Sequence, residues 1–174
     1  DPHVRPERQP GASPGPMIAA AVAVVASCLC LLGLFVYTYG GHDRPGLIDS
    51  PEVAEVAERA CTTMRAAVAV RAAPPQAATE AEVRAIRQQN DAVVAMVAEV
   101  RRLGKARLRD DHPTADWLSD WETLVDSRER HAAALSAGRE PRFVVPVVDG
   151  VAITDRMNST GLVCQVPPQL LDLP

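Results

Sequence analysis

Residues 17–39 read MIAAAVAVVASCLCLLGLFVYTY, a run of 23 residues with no charged side chain. At about 1.5 Å per helical residue it reaches roughly 35 Å, enough for a hydrocarbon core of about 30 Å. Backbone groups in hydrocarbon must bond within their own segment, so the expected structure is a single transmembrane helix. Tyr37 and Tyr39 stand at its C-terminal end, where amphipathic rings favour the interface. Ala19, Ala20, Ala23, Ala26, Ser27 and Gly33 give it small residues on which another helix can pack closely.

Two other readings of this run compete with the span. A cleaved secretory signal is disfavoured, because the apolar stretch exceeds an ordinary signal core and no Ala-x-Ala site follows it. The tetrad Val25-Ala26-Ser27-Cys28 looks like a bacterial lipobox, which would place a lipid on Cys28. Against that, the chain stays apolar for eleven positions after the cysteine.

Flanking charge sets the expected orientation. Arg5 and Arg8 precede the run and Arg44 follows it, two cations against one, which favours a cytoplasmic N-terminus. Residues 1–16 hold five prolines and read as a disordered cytoplasmic tail, and 40–49 as a polar juxtamembrane linker. Cys28 and Cys30 fall inside the apolar run as packing residues. Cys61 and Cys164 fall in the polar remainder, where a single disulfide in an oxidising compartment is expected. Residues 50–174 are therefore expected outside the cytoplasm, at the plasma membrane. One lysine against seventeen arginines suggests a GC-rich, actinobacterial source.

Helical spacing dominates that remainder, so the expected fold is mainly α: a small three-helix bundle with a C-terminal extended or hairpin strap. Ser50 and Pro51 mark a helix start. Val53, Val56, Ala57, Ala60, Met64, Ala67 and Val68 form its stripe, with Cys61 on the same face, and Pro74-Pro75 ends it. Thr79-Glu80-Ala81-Glu82 reads as a capping box before the stripe Val83, Ile86, Asn90, Val93, Val94, Val97 and Val100, with Gly104 at its end. Asn90 interrupts the apolar face and reads as a buried amide that sets helix register.

A third helix is expected from Pro113 or Thr114, with Trp117, Leu118, Trp121, Leu124, Val125, Arg128, Ala132 and Leu135 on one face and Gly138 closing it. Trp117 and Trp121 read first as core anchors and second as a partner-docking patch. Asp149-Gly150 between the β-branched runs 143–148 and 151–154 predicts a hairpin, with Asp155-Arg156 in a tight turn after it.

Composition and motifs narrow the function. A formal charge of −4 argues against nucleic acid as partner. No phosphate loop, nucleophile elbow or zincin motif occurs, so no catalytic residue and no cofactor are assigned. Asp110, Asp111, His112, Asp116 and Asp120 resemble a metal set only if the third helix starts early, and no metal is assigned to them. His131 reads as a surface or interface side chain.

Arg101, Arg102, Lys105, Arg107 and Arg109 place five cations within nine residues. They are candidates for contact with lipid headgroups, set against ordinary pairing with a helix dipole and nearby aspartates. The expectation is a non-enzymatic single-pass protein, an accessory or assembly subunit of a bacterial membrane or envelope complex. Its partners would be the bilayer and integral-membrane or envelope proteins. The alternative is an extracytoplasmic ligand-binding or sensing domain.

Overall fold

A computed structural model describes residues 15–39, 46–74 and 76–173, with side chains of the first helix described for 22–34. The tail at 1–14, residues 40–45 with Asp43 and Arg44, and Pro75 lie outside the described residues. The chain divides into two compact units, Asp1–His42 and Asp43–Pro174.

The first unit carries helix α1, Gly15–Tyr39, 25 residues long. Every side chain described on it is exposed, among them Val22, Val25, Leu29, Leu32 and Leu34. Among the described residues no helix is long and apolar enough to cross a membrane. That finding does not support the span expected at 17–39, of which the described side chains cover thirteen positions.

The second unit is mainly helical. Helix α2 runs Pro51–Val70, α3 Thr79–Arg101, α4 Lys105–Asp110, α5 His112–Ser136 and α6 Ile153–Asn158, with a two-stranded hairpin, β1 Val147–Val148 and β2 Val151–Ala152, before α6. Helix α3 packs along both α2 and α5. The C-terminal segment closes over them, ending in a 3₁₀ turn at Pro168–Leu170. One core joins Val53, Ala57, Met64 and Val68 of α2 to Val93, Met96 and Val100 of α3 and to Trp117, Trp121 and Leu124 of α5. Ile153, Met157, Leu162, Val166 and Leu170 of the C-terminal segment complete it. A smaller cluster of Val83, Ile86, Ala132 and Leu135 closes the far end of the α3–α5 pair. Each large aliphatic so buried contributes about 1.5–3 kcal/mol relative to exposure.

Several local details differ from expectation. Ser50 is the N-cap of α2, yet its hydroxyl makes no cap bond; its backbone N–H donates instead to Oδ2 of distant Asp111, 3.1 Å away. The capping box at Thr79 does not form, because Ala78 is the N-cap and its carbonyl takes the N–H groups of Ala81 and Glu82. Val94 turns outward at 53% exposure, and Ala92 and Met96 take the inward places beside Val93. Gly104 does not cap α3; at φ +90° it starts α4, an element the sequence reading lacked. His112 is helical despite Pro113, since a proline in the first turn gives up a donor that has no helical partner there.

Helix α5 ends as expected. Gly138 at φ +70° donates to Leu135 O while Arg139 N–H reaches Ala134 O, the paired bonds of a Schellman motif. The hairpin also forms, with positive φ at both Asp149 and Gly150 and Val148 opposite Val151. It is short, because Ile153 and Thr154 leave the second strand for α6, taking in the turn expected at Asp155-Arg156. The carbonyl of Pro146, which has no N–H to offer a ladder, receives the N–H of Ile153.

Candidate functional site

Polar groups buried inside this domain tie its elements together. At the centre lies Arg128 on α5, fully buried. Its Nε donates to Asn90 Oδ1 at 2.8 Å, one Nη to Gln89 Oε1 at 2.6 Å, and the other to the carbonyl of Leu170. Gln89 in turn donates from Nε2 to Val68 O on α2, at 3.4 Å. One guanidinium thus joins α2, α3, α5 and the C-terminal segment. Its acceptors are neutral, and burial pulls its pKa down to about 10. Asn90 is buried as the sequence suggested. Arg128 and Gln89 as its partners were missed, although Arg128 breaks the α5 stripe just as Asn90 breaks that of α3, and two such breaks on facing stripes are a readable signal.

A second tie holds α6 to α5. Arg156 Nε stands 3.1 Å from Asp120 Oδ2, with the aspartate side chain 7% exposed. Burial raises the Asp120 pKa above the usual carboxylate range, against the lowering effect of Arg156. The folded protein therefore holds this proton to higher pH than the unfolded chain. The resulting stability is fully present below the unfolded pKa and is lost as pH rises through the folded one. Relative to Asp120→Asn, the wild-type melting temperature is expected to fall as pH is raised from about 3 to about 7. A pH-independent difference would show that Asp120 titrates normally.

The expected disulfide is present between Cys61 and Cys164, both fully buried. It fastens the C-terminal segment to α2. Asn158 Oδ1 accepts from Val166 N–H and Ile48 N–H donates to Thr160 O, both at 2.9 Å, so the chain entering α2 and the chain leaving α6 are joined. Trp117 and Trp121 meet edge to face, ring centroids 6.1 Å apart, at 1% and 0% exposure. They are core anchors, and neither presents a docking surface. His131, expected at a surface or interface, is buried and meets the Phe143 ring edge-on at 5.8 Å. Of the acidic set, Asp111 and Asp120 are buried in the ties just described, and Asp110 and Asp116 are exposed. Among the described residues no group of three or more His, Cys, Asp or Glu is placed to hold a metal ion.

Several recesses open to solvent, and two of them bear on the candidate sites. A groove of about 600 Å³ runs between α2 and α3, floored by Ala60, Met64, Ala92 and Met96. Arg59, Arg71, Asp91 and Glu99 stand among the residues around it. A smaller hollow of about 320 Å³ lies where α3, α4 and α5 meet.

The five-cation cluster is divided by the fold. Arg101 pairs with Glu122 at 2.7 Å, Arg102 pairs with Glu99, and Arg107 reaches Glu52 on α2. Lys105 and Arg109 have no carboxylate partner among the described residues, and both line the smaller hollow with Arg101. No family model, no curated protein and no solved structure matches this chain.

Proposed function

We propose that the chain is a non-enzymatic, single-pass membrane protein whose disulfide-closed helical domain lies outside the cytoplasm and works through protein contacts. It would serve as an accessory or assembly subunit of a larger bacterial membrane or cell-envelope complex. The observation that carries this reading is the uncharged run 17–39, set within one helix of 25 residues whose described valines and leucines are all exposed. A helix apolar on all sides calls for apolar surroundings. The Cys61–Cys164 bridge adds the compartment, because such bonds persist in oxidising environments.

The test is extraction of native membranes with alkaline carbonate, combined with thiol labelling from outside the cell. The chain is expected to stay with the membrane, and Cys61 and Cys164 are expected to label only after reduction and unfolding. Release by carbonate would overturn the anchor. Prompt labelling of reduced Cys61 and Cys164 inside the cell would overturn the compartment.

A second reading, an extracytoplasmic ligand-binding or sensing domain, draws on the groove between α2 and α3, whose volume suits a small molecule. Thermal-shift screening against envelope fragments separates it from the first reading, which expects co-purifying membrane proteins. Anchoring through lipid on Cys28, a position exposed on α1, would show as a mature chain starting at that residue in a mass spectrum.

A further inference from the structure

We propose that the hollow formed by Arg101, Lys105 and Arg109 over Leu108, Ala115 and Leu118 seats the phosphate-bearing headgroup of an anionic phospholipid. The argument begins with what the fold does to its cations. Arg101, Arg102 and Arg107 are matched to Glu122, Glu99 and Glu52, two of these pairs reaching between different helices. Lys105 and Arg109 are left without such partners among the described residues. They stand four residues apart on α4, hence on one face, where like charges repel unless an anion lies between them.

The fold also fixes the depth of the site. Leu108 packs against the main core from the same short helix, and buried Leu118 comes up from α5 beneath it. This produces a recess with cations around an apolar base, in a chain whose overall charge is −4. A phosphodiester with its glycerol ester shoulder matches both parts. Arg101, paired with Glu122, also lines the hollow. A bare phosphate would use the cations but leave the apolar base unfilled. The inference rests on the membrane-anchored reading for its source of lipid, although the binding itself is read without a bilayer.

The experiment uses the full chain in nonionic detergent micelles, with native mass spectrometry counting bound ligand. Short-chain phosphatidylglycerol is compared with phosphatidylcholine of the same chains and with inorganic phosphate. Phosphatidylglycerol is expected to bind about tenfold more tightly than phosphatidylcholine, and Lys105→Glu with Arg109→Glu to remove about that factor. Arg139→Glu with Arg142→Glu makes the same charge change elsewhere and is expected to leave binding unchanged. Lys105→Gln with Arg109→Gln covers the case in which charge reversal prevents folding, and is expected to give an intermediate loss.

Equal binding of phosphatidylcholine would overturn the proposal, as would an equal loss in the Arg139/Arg142 variant. Inorganic phosphate binding as tightly as the lipid would reassign the hollow to a free anion and overturn the lipid assignment. None of these results depends on carbonate extraction, so failure here and failure of the anchor are separate outcomes.

Discussion

Replacing Cys61 and Cys164 together by alanine is expected to lower the unfolding free energy of the helical domain by about 4 kcal/mol. The two residues are 103 apart in sequence, so the bond constrains a long loop of the unfolded chain. The loop-entropy treatment gives about 4.7 kcal/mol for a loop of roughly 100 residues, and measured losses run about 2–5. Two features of the fold place this domain in the upper part of that range. The bridge is buried, so its loss also leaves a gap between α2 and the C-terminal segment. The segment it holds supplies Leu162, Val166 and Leu170 to the core. Denaturant unfolding in detergent, followed by the fluorescence of the buried Trp117 and Trp121, measures the loss directly. A midpoint unchanged by the double replacement would show that the segment is held by packing alone.

The helices were legible from sequence because their apolar spacing is a local pattern. Ser50-Pro51 and Gly138 lie at the boundaries the structure shows, and the stripe Val53, Ala57, Met64 and Val68 faces the core. Other parts depended on distant partners. Asp111 occupies the N–H of Ser50, 61 residues away, so no window around either residue contains the reason for it. Helix α4 has no buried residue of its own and is held by Leu108, half-buried against a core made elsewhere. Ile153 and Thr154 have strand-like chemistry, yet they lie in a helix whose Ile153 and Met157 join the core and whose Arg156 pairs with Asp120, as tertiary context overrides β-propensity.

The candidate sites show the same division. Five cations in nine residues form one feature in the sequence, and only the fold separates three that are spent on carboxylates from two that are not. Trp117 and Trp121 were open to two readings because spacing gives their shared face but not what covers it. Burial decides between core anchor and docking patch.

Replacing Asn90 and Gln89 together by leucine is expected to destabilise the domain by about 4 kcal/mol, more than replacing Arg128 by methionine. Both leucine changes remove acceptors from a charge that stays buried, and each charge-assisted hydrogen bond is worth about 1.5–3 kcal/mol. Methionine at 128 acts differently. It strands three neutral acceptors, Asn90 Oδ1, Gln89 Oε1 and Leu170 O, at about 1 kcal/mol each. It also removes the burden of a buried cation, whose pKa desolvation pulls down from the ordinary arginine value to about 10. At about 1.4 kcal/mol per pKa unit, that relief is near 3 kcal/mol. The two effects oppose each other, so Arg128→Met is expected to fall within about 1–2 kcal/mol of the wild type. The triple variant, with all three polar side chains made apolar, is then expected to recover most of the loss seen in the Asn90/Gln89 pair. Urea unfolding of the four proteins closes this cycle. Should Arg128→Met prove as destabilising as the leucine pair, the guanidinium would be a net stabiliser of the core. If instead the predicted order holds, the buried charge adds little net stability. What it contributes is alignment, since a single planar fork meets α3 and the C-terminal segment directly, and α2 through Gln89, only when all three are in register.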